Sequence, residues 1–266
     1  MSDIPALLYH KVAPAWEVGV TCVPPSRFVE QMRAIHSQGW RTILPGQEPQ
    51  TADASPDTPQ FLLAFDDGYE CVRRYAFPVL QELGYRAIVF MPAGCIGKWN
   101  DWDHNLLGRR FRHLSAEMLR DLVDAGWLVG SHGIHHRALT GLHDDELQEE
   151  LTLSRRRLQD LFSAEVRWCA FPFGRYDVRV LNAAAEAGYR GAVIPVRRMC
   201  PVPGGFQLWC SDSVYLWDTP NSVQNLLCRG MGYGLSAALR RQANRLSGGT
   251  IIWRKIFSAH SAATLD

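Results

Sequence analysis

The chain has no Cys-x-x-Cys pair, no block of like charges, no low-complexity tract and no internal repeat. It also lacks an apolar run of the roughly 18 residues that a membrane span requires. The first 30 residues carry no basic segment leading into an apolar core, so the expectation is a cytoplasmic chain without an export signal or a transmembrane segment. Lysine and arginine total 28 against 27 acidic residues, a formal net charge of +1. That balance argues against nucleic acid as a partner, because binding by counterion release needs a basic face. The seven cysteines are odd in number and scattered, which fits buried free thiols in a reducing compartment better than a disulfide framework or a thiolate metal site.

What is present is alternation. Across 266 residues, 47% of them hydrophobic, apolar runs alternate with amphipathic segments, as in βα units around a parallel sheet. The length suits one large domain spanning residues 1–266. Strands are expected at Ala6–His10, Phe61–Phe65, Ala87–Met91, Leu128–Ser131, Val166–Phe171 and Gly191–Ile194, with weaker signals at Arg41–Ile43 and Leu208–Cys210. Helices are expected in "PPSRFVEQMRAIHSQG" with Ser26 as cap, in "YECVRRYAFPVLQELGY", in "HDDELQEELTLSRRRLQDLF" and in "YDVRVLNAAAEAGY". Arg155–Arg157 read as a solvated helix face. Pro45 to Pro59 reads as an exposed loop, and the chain beyond Pro195 shows no regular topology.

Three segments carry chemistry, each after an expected strand. "FLLAFDDGYE" sets Asp66 and Asp67 at a strand's end, where two adjacent carboxylates repel unless a cation or a working proton is there. Asp-Gly is also turn chemistry, with an N-cap for a helix starting near Tyr69, and that plainer reading stands beside the first. "WLVGSHGIHHRAL" spaces His132 and His136 so that two imidazoles meet at one cation if the chain turns into a helix there; His135 is out of register with them. "CAFPFGRYD" is a rigid corner, with Pro172 fixing φ and Gly174 permitting close approach. Ligands in alternating β/α chains gather at the strands' C-terminal ends, where these segments would face one another.

Phe-Asp-Asp-Gly, then His-x-x-x-His, then Phe-Pro-Phe-Gly before Tyr-Asp resembles the polysaccharide deacetylase superfamily, carbohydrate esterase family four, from "LLYHKV" to at least "AEAGYRGAV". The resemblance implies a distorted (β/α) barrel of about seven strands. It also implies one divalent metal ion, zinc foremost with cobalt, nickel or iron as alternatives, held by Asp67, His132 and His136, with Asp66 as general base. The chain departs from the pattern in two motifs. The arginine that opens the third motif is replaced by Ala170, with Arg167 and Arg175 as candidate substitutes, and the aromatic there is Phe173 rather than tyrosine. The late Leu-x-His motif that protonates the leaving amine reads "GGTIIWRKI".

One branch of the superfamily opens with a Tyr-His-x-Val strand in which an N-terminal histidine stands in for the late one. "LLYHKV" matches it, so the resemblance makes His10 the candidate acid, with His260 as its competitor. The implied reaction is hydrolysis of the acetamide on amino sugars of a polymer or oligomer, the oxyanion leaning on a backbone N–H near Phe173 beside Pro172. Trp99 and Trp102, with Trp217 as a third candidate, are positioned to stack on sugar rings or else cap the core. Two other readings stay open at this level: a C–N hydrolase of small non-sugar amides, and a non-catalytic carbohydrate-binding domain on the same scaffold.

Overall fold

A computed structural model of the protein describes residues 4–14, 20–46, 58–100, 110–194 and 201–229. The described elements are, in chain order, β1 (Ala6–Tyr9), β2 (Lys11–Val12), β3 (Cys22–Val23), α1 (Pro25–Ser37), β4 (Arg41–Thr42), β5 (Gln60–Phe65), α2 (Phe77–Glu82) and β6 (Ile88–Met91). There follow α3 (Ala116–Asp124), β7 (Leu128–Ser131), α4 (Asp144–Phe162), β8 (Trp168–Ala170), α5 (Val178–Glu186), β9 (Gly191–Ile194), β10 (Gln207–Ser213) and α6 (Pro220–Arg229).

All the pairings between these strands are parallel, and β1 closes the ring. It pairs with β5 on one side, Tyr9 against Phe65, and with β10 on the other, Leu8 against Ser213. The sequence β1–β5–β6–β7–β8–β9–β10 therefore forms a closed barrel of seven strands. β4 lies outside that count, laid against the first two residues of β5, and β2 with β3 make a separate short ladder. Strand parity divides the core in two. Ala6, Leu8, Leu62, Ala64, Phe90 and Trp209 belong to the cluster that fills the barrel, whereas Leu7, Tyr9, Phe61, Leu63 and Phe65 belong to the cluster shared with the helices.

Several expectations change in detail. Ser26 does not cap α1: the cap position is Pro24, with no side-chain bond, and Pro25 opens the helix, where its missing N–H costs nothing. The segment before α2 runs through a π-helical turn at Val72–Ala76 instead of a uniform α-helix. α3 went unmarked in the sequence, although Ser115 caps it by accepting the Met118 N–H at 3.2 Å. Of the arginine run, Arg156 and Arg157 are exposed, but Arg155 donates from Nε to the Val166 carbonyl at 2.9 Å and is half-buried. β10 extends to Ser213 and supplies the strand that closes the barrel. No disulfide joins the described cysteines, and no described helix is long and apolar enough to cross a membrane.

Candidate metal centre at the barrel mouth

β5 ends at Phe65, and its parity aims the next residue, Asp66, along the line of Leu62 and Ala64 into the mouth of the barrel. The chain then turns sharply, with Asp67 at φ 65 and Gly68 at φ 57. An aspartate tolerates this left-handed region better than most residues, and Gly68 is needed twice over, because a Cβ there would overlap Met91 Sδ. His113 holds the turn by donating from Nδ1 to the Asp67 carbonyl at 2.8 Å.

β7 ends at Ser131, and the histidine segment that follows does not form the helix its spacing suggested. His132–His136 is an irregular loop that reverses through Gly133 (φ 73) and His136 (φ 52), and these two left-handed residues bring the rings together. His132 Nε2 lies 3.5 Å, and His136 Nε2 3.0 Å, from Asp67 Oδ1. All three side chains are buried. Among the described residues this is the one cluster of His, Cys, Asp and Glu with ligand atoms close enough to share an ion.

The donor set fits a metal. His132 spends its Nδ1 proton on the Ala170 carbonyl at 2.9 Å. Burial, followed by the neighbouring His136, lowers the His132 pKa to about 3, so the ring is neutral and Nε2 carries a bare lone pair. That lone pair faces a carboxylate oxygen, an arrangement of two acceptors that a cation would reconcile. Ligand atoms on a tetrahedron with bonds of about 2.0–2.2 Å stand roughly 3.3–3.6 Å apart; the His132 separation of 3.5 Å falls within that spacing and the His136 separation of 3.0 Å falls just short of it. Burial acts to raise the Asp67 carboxyl, but the charge and hydrogen bond of His136, with His10 and His132 behind it, hold it well below the usual carboxylate range.

Asp66 shows the opposite behaviour. Burial and then the charge of Asp67 push its carboxyl well above the ordinary value. Its Oδ1 is buried and has no hydrogen-bond partner among the described residues. Neither proposed substitute for the third-motif arginine bonds that oxygen. Arg167 precedes β8, at the opposite end of the barrel, where it pairs with Glu165, and Arg175 is exposed. Ala170 faces the barrel interior, and its contribution to the site is the carbonyl that orients His132.

The remaining sequence candidates divide. Phe173 sits in the turn after β8 at φ 61, a strained conformation for a bulky residue, and its ring packs 4.7 Å from His136. Pro172 beside it is buried. His10 follows β1 directly next to Asp66, is half-buried, and acts electrostatically on both Asp67 and His132. His135 turns away from the cluster to Glu150. Trp99 is 57% exposed; Trp217 is 37% exposed and stacks on Tyr215 just after β10, on the same rim as His10. Trp102 and His260 lie outside the described residues. Two residues at the site escaped sequence reasoning, His113 and Glu150. His113 lies in an aperiodic stretch, whereas Glu150 betrays itself as an acid on the apolar face of α4, among Leu147, Leu151 and Leu158.

Comparison with known proteins places these features in company. The sequence profile of the family described as polysaccharide deacetylase matches residues 53–192. YxkH of Bacillus subtilis (strain 168), which carries that family's name, is 30% identical over 194 residues, covering 72% of this chain; the chain spans 64% of the length of that relative. Among solved structures, the Streptococcus pyogenes deacetylase PplD in complex with acetate superposes with a TM-score of 0.70 at 18% identity, covering 84% of this chain and 97% of that one. IcaB from Ammonifex degensii gives 0.67 at 20% identity, covering 86% and 97%. These two likenesses speak for the fold.

Proposed function

Because the chain belongs to the polysaccharide deacetylase family, we propose that it is a metal-dependent hydrolase that removes N-acetyl groups from the amino sugars of a poly- or oligosaccharide. One observation carries the reading: Asp67 Oδ1 and two imidazole nitrogens converge at the mouth of a closed barrel, beside a second buried carboxylate whose Oδ1 has no hydrogen-bond partner among the described residues.

A divalent ion held by Asp67, His132 and His136, zinc being the first choice for such a donor set, would supply Lewis-acid polarisation of the acetyl carbonyl and acidify a water. The protein's own groups do the rest. Asp66, with its carboxyl raised by burial and by Asp67, is matched to take a proton from the attacking water. His10, at the adjacent strand end, donates a proton to the departing amine. The backbone N–H of Phe173 is the proposed donor to the developing oxyanion, and the Phe173 ring covers His136 and excludes water from it. Trp99 and Trp217 offer exposed ring faces for sugar stacking, Trp217 on the rim itself.

Release of acetate from N-acetylglucosamine oligomers, measured with chelated and metal-reloaded protein against a panel of cyclic amides, tests the reading. Metal-dependent acetate release from the oligomers supports it. Turnover of the cyclic amides alone would transfer the same site to small-amide hydrolysis.

A further inference from the structure

The loop between the two candidate histidine ligands is held from both sides, and a single side chain outside it takes two of its backbone N–H groups. On one side, the carbonyls of Gly133 and Ile134 accept from the N–H groups of Ala93 and Gly94 at 2.8 and 2.9 Å. On the other, Glu150 of α4 reaches in with its carboxylate. Its Oε2 accepts the Ile134 N–H at 2.7 Å and the His135 N–H at 3.1 Å, and its Oε1 accepts the His135 Nδ1 proton at 2.8 Å. Ser131 Oγ adds a bond from the Gly133 N–H at 3.3 Å and is itself tied to Ser154, one turn beyond Glu150 on α4.

Glu150 is 3% exposed and sits on a helix face otherwise made of leucines and Ser154. A buried carboxylate is costly unless its oxygens are filled, and here three N–H donors of one short loop fill them. The Ala93 and Gly94 bonds hold the loop's carbonyls, and Glu150 holds its Ile134 and His135 N–H groups. The loop is irregular, reverses through two left-handed residues, and carries at its ends the two rings that meet Asp67. We propose that Glu150 is a positioning residue for the metal centre, fixing the loop from Gly133 to His135 and through it the separation of the His132 and His136 rings. The inference rests on the reading of Asp67, His132 and His136 as metal ligands. It also gives His135 a role: its exposed ring closes over Glu150 Oε1 instead of joining the ligand set.

Zinc titration of the metal-stripped full chain by calorimetry tests this, with far-UV circular dichroism and a melting curve for each variant. E150Q keeps the size but replaces one acceptor oxygen with an NH₂ donor, which opposes the loop's own donors. The expected result is zinc binding weaker by about 10–100-fold, the usual cost of losing an outer partner of a metal ligand. H135A, which removes one donor and leaves both backbone bonds, should lose much less. L158A, a cavity on the same buried face of α4 about two turns away, is the control for mere destabilisation: its melting temperature falls while zinc affinity stays at the wild-type value. Should E150Q fail to fold, E150D carries the test, since the shortened carboxylate keeps its charge but withdraws from the loop and weakens zinc in the same direction. If E150Q, or E150D in its place, binds zinc as tightly as wild type, or if L158A weakens zinc as much, the positioning role is overturned. A wild-type chain that binds no zinc would instead overturn the ligand assignment beneath it.

Discussion

The backbone N–H of Asp66 donates to the carbonyl of Tyr9 at 2.9 Å. This ladder bond, the last between β5 and β1, sets His10 beside the paired carboxylates at the barrel mouth. It also explains why a titratable ring ends the first strand: parity turns His10 to the same side as Ala6 and Leu8, into the barrel opening where Asp66 is aimed.

That placement gives the first prediction. His10→Ala retains its fold and its metal and loses most turnover on acetamides. It loses much less on an activated acetate ester, whose leaving group needs no proton. Parallel rate measurements on the two substrates check it. Equal losses on both would remove His10 from the role of acid.

The paired carboxylates give the second. Asp66→Asn should bind metal normally and lose about 10²–10⁴ in rate, the usual worth of a general base. Asp67→Asn should lose metal as well as rate, because Asp67 Oδ1 is the atom both imidazoles approach. Metal content and single-turnover rates of the two variants distinguish these outcomes, and equal metal loss in both would refute the division of roles.

A third prediction concerns the barrel. A Cβ at Gly130 would overlap the Phe90 ring and stand 3.0 Å from the Trp168 carbonyl. Gly130→Ala therefore overpacks the interior and costs about 1–3 kcal/mol. At roughly 2–4 °C per kcal/mol for a chain of this size class, the melting temperature should fall by several degrees. A thermal scan with no shift would mean that β7 is not packed against Phe90 as described.

The barrel was legible because its strands are short apolar runs that end on chemically distinctive residues: Phe65 before Asp66, Ser131 before His132, Ala170 before Phe171. Sequence separation alone said nothing of how those ends meet. The convergence of His132 and His136 depends on positive φ at Gly133 and His136, which no periodicity signals, so a helical turn was expected where a loop stands. β10 was underestimated because Ser211, Asp212 and Ser213 are polar, and only pairing with β1 makes them a strand. Glu150 stands out as an acid among the leucines of α4, but its partners are backbone N–H groups of a distant loop, and a sequence carries no mark for those.

The most direct test of the central claim is a metal analysis joined to an acetate-release assay on the same preparations. The purified chain is stripped with chelator and reloaded with zinc, alongside His132→Ala treated identically. The wild type should hold about one ion per chain, lose acetate release from N-acetylglucosamine oligomers on stripping and regain it on reloading, while His132→Ala holds no metal and releases no acetate. A stripped wild type that remains fully active, or a His132→Ala variant that keeps its full metal content, would contradict the assignment of Asp67, His132 and His136 as the metal centre.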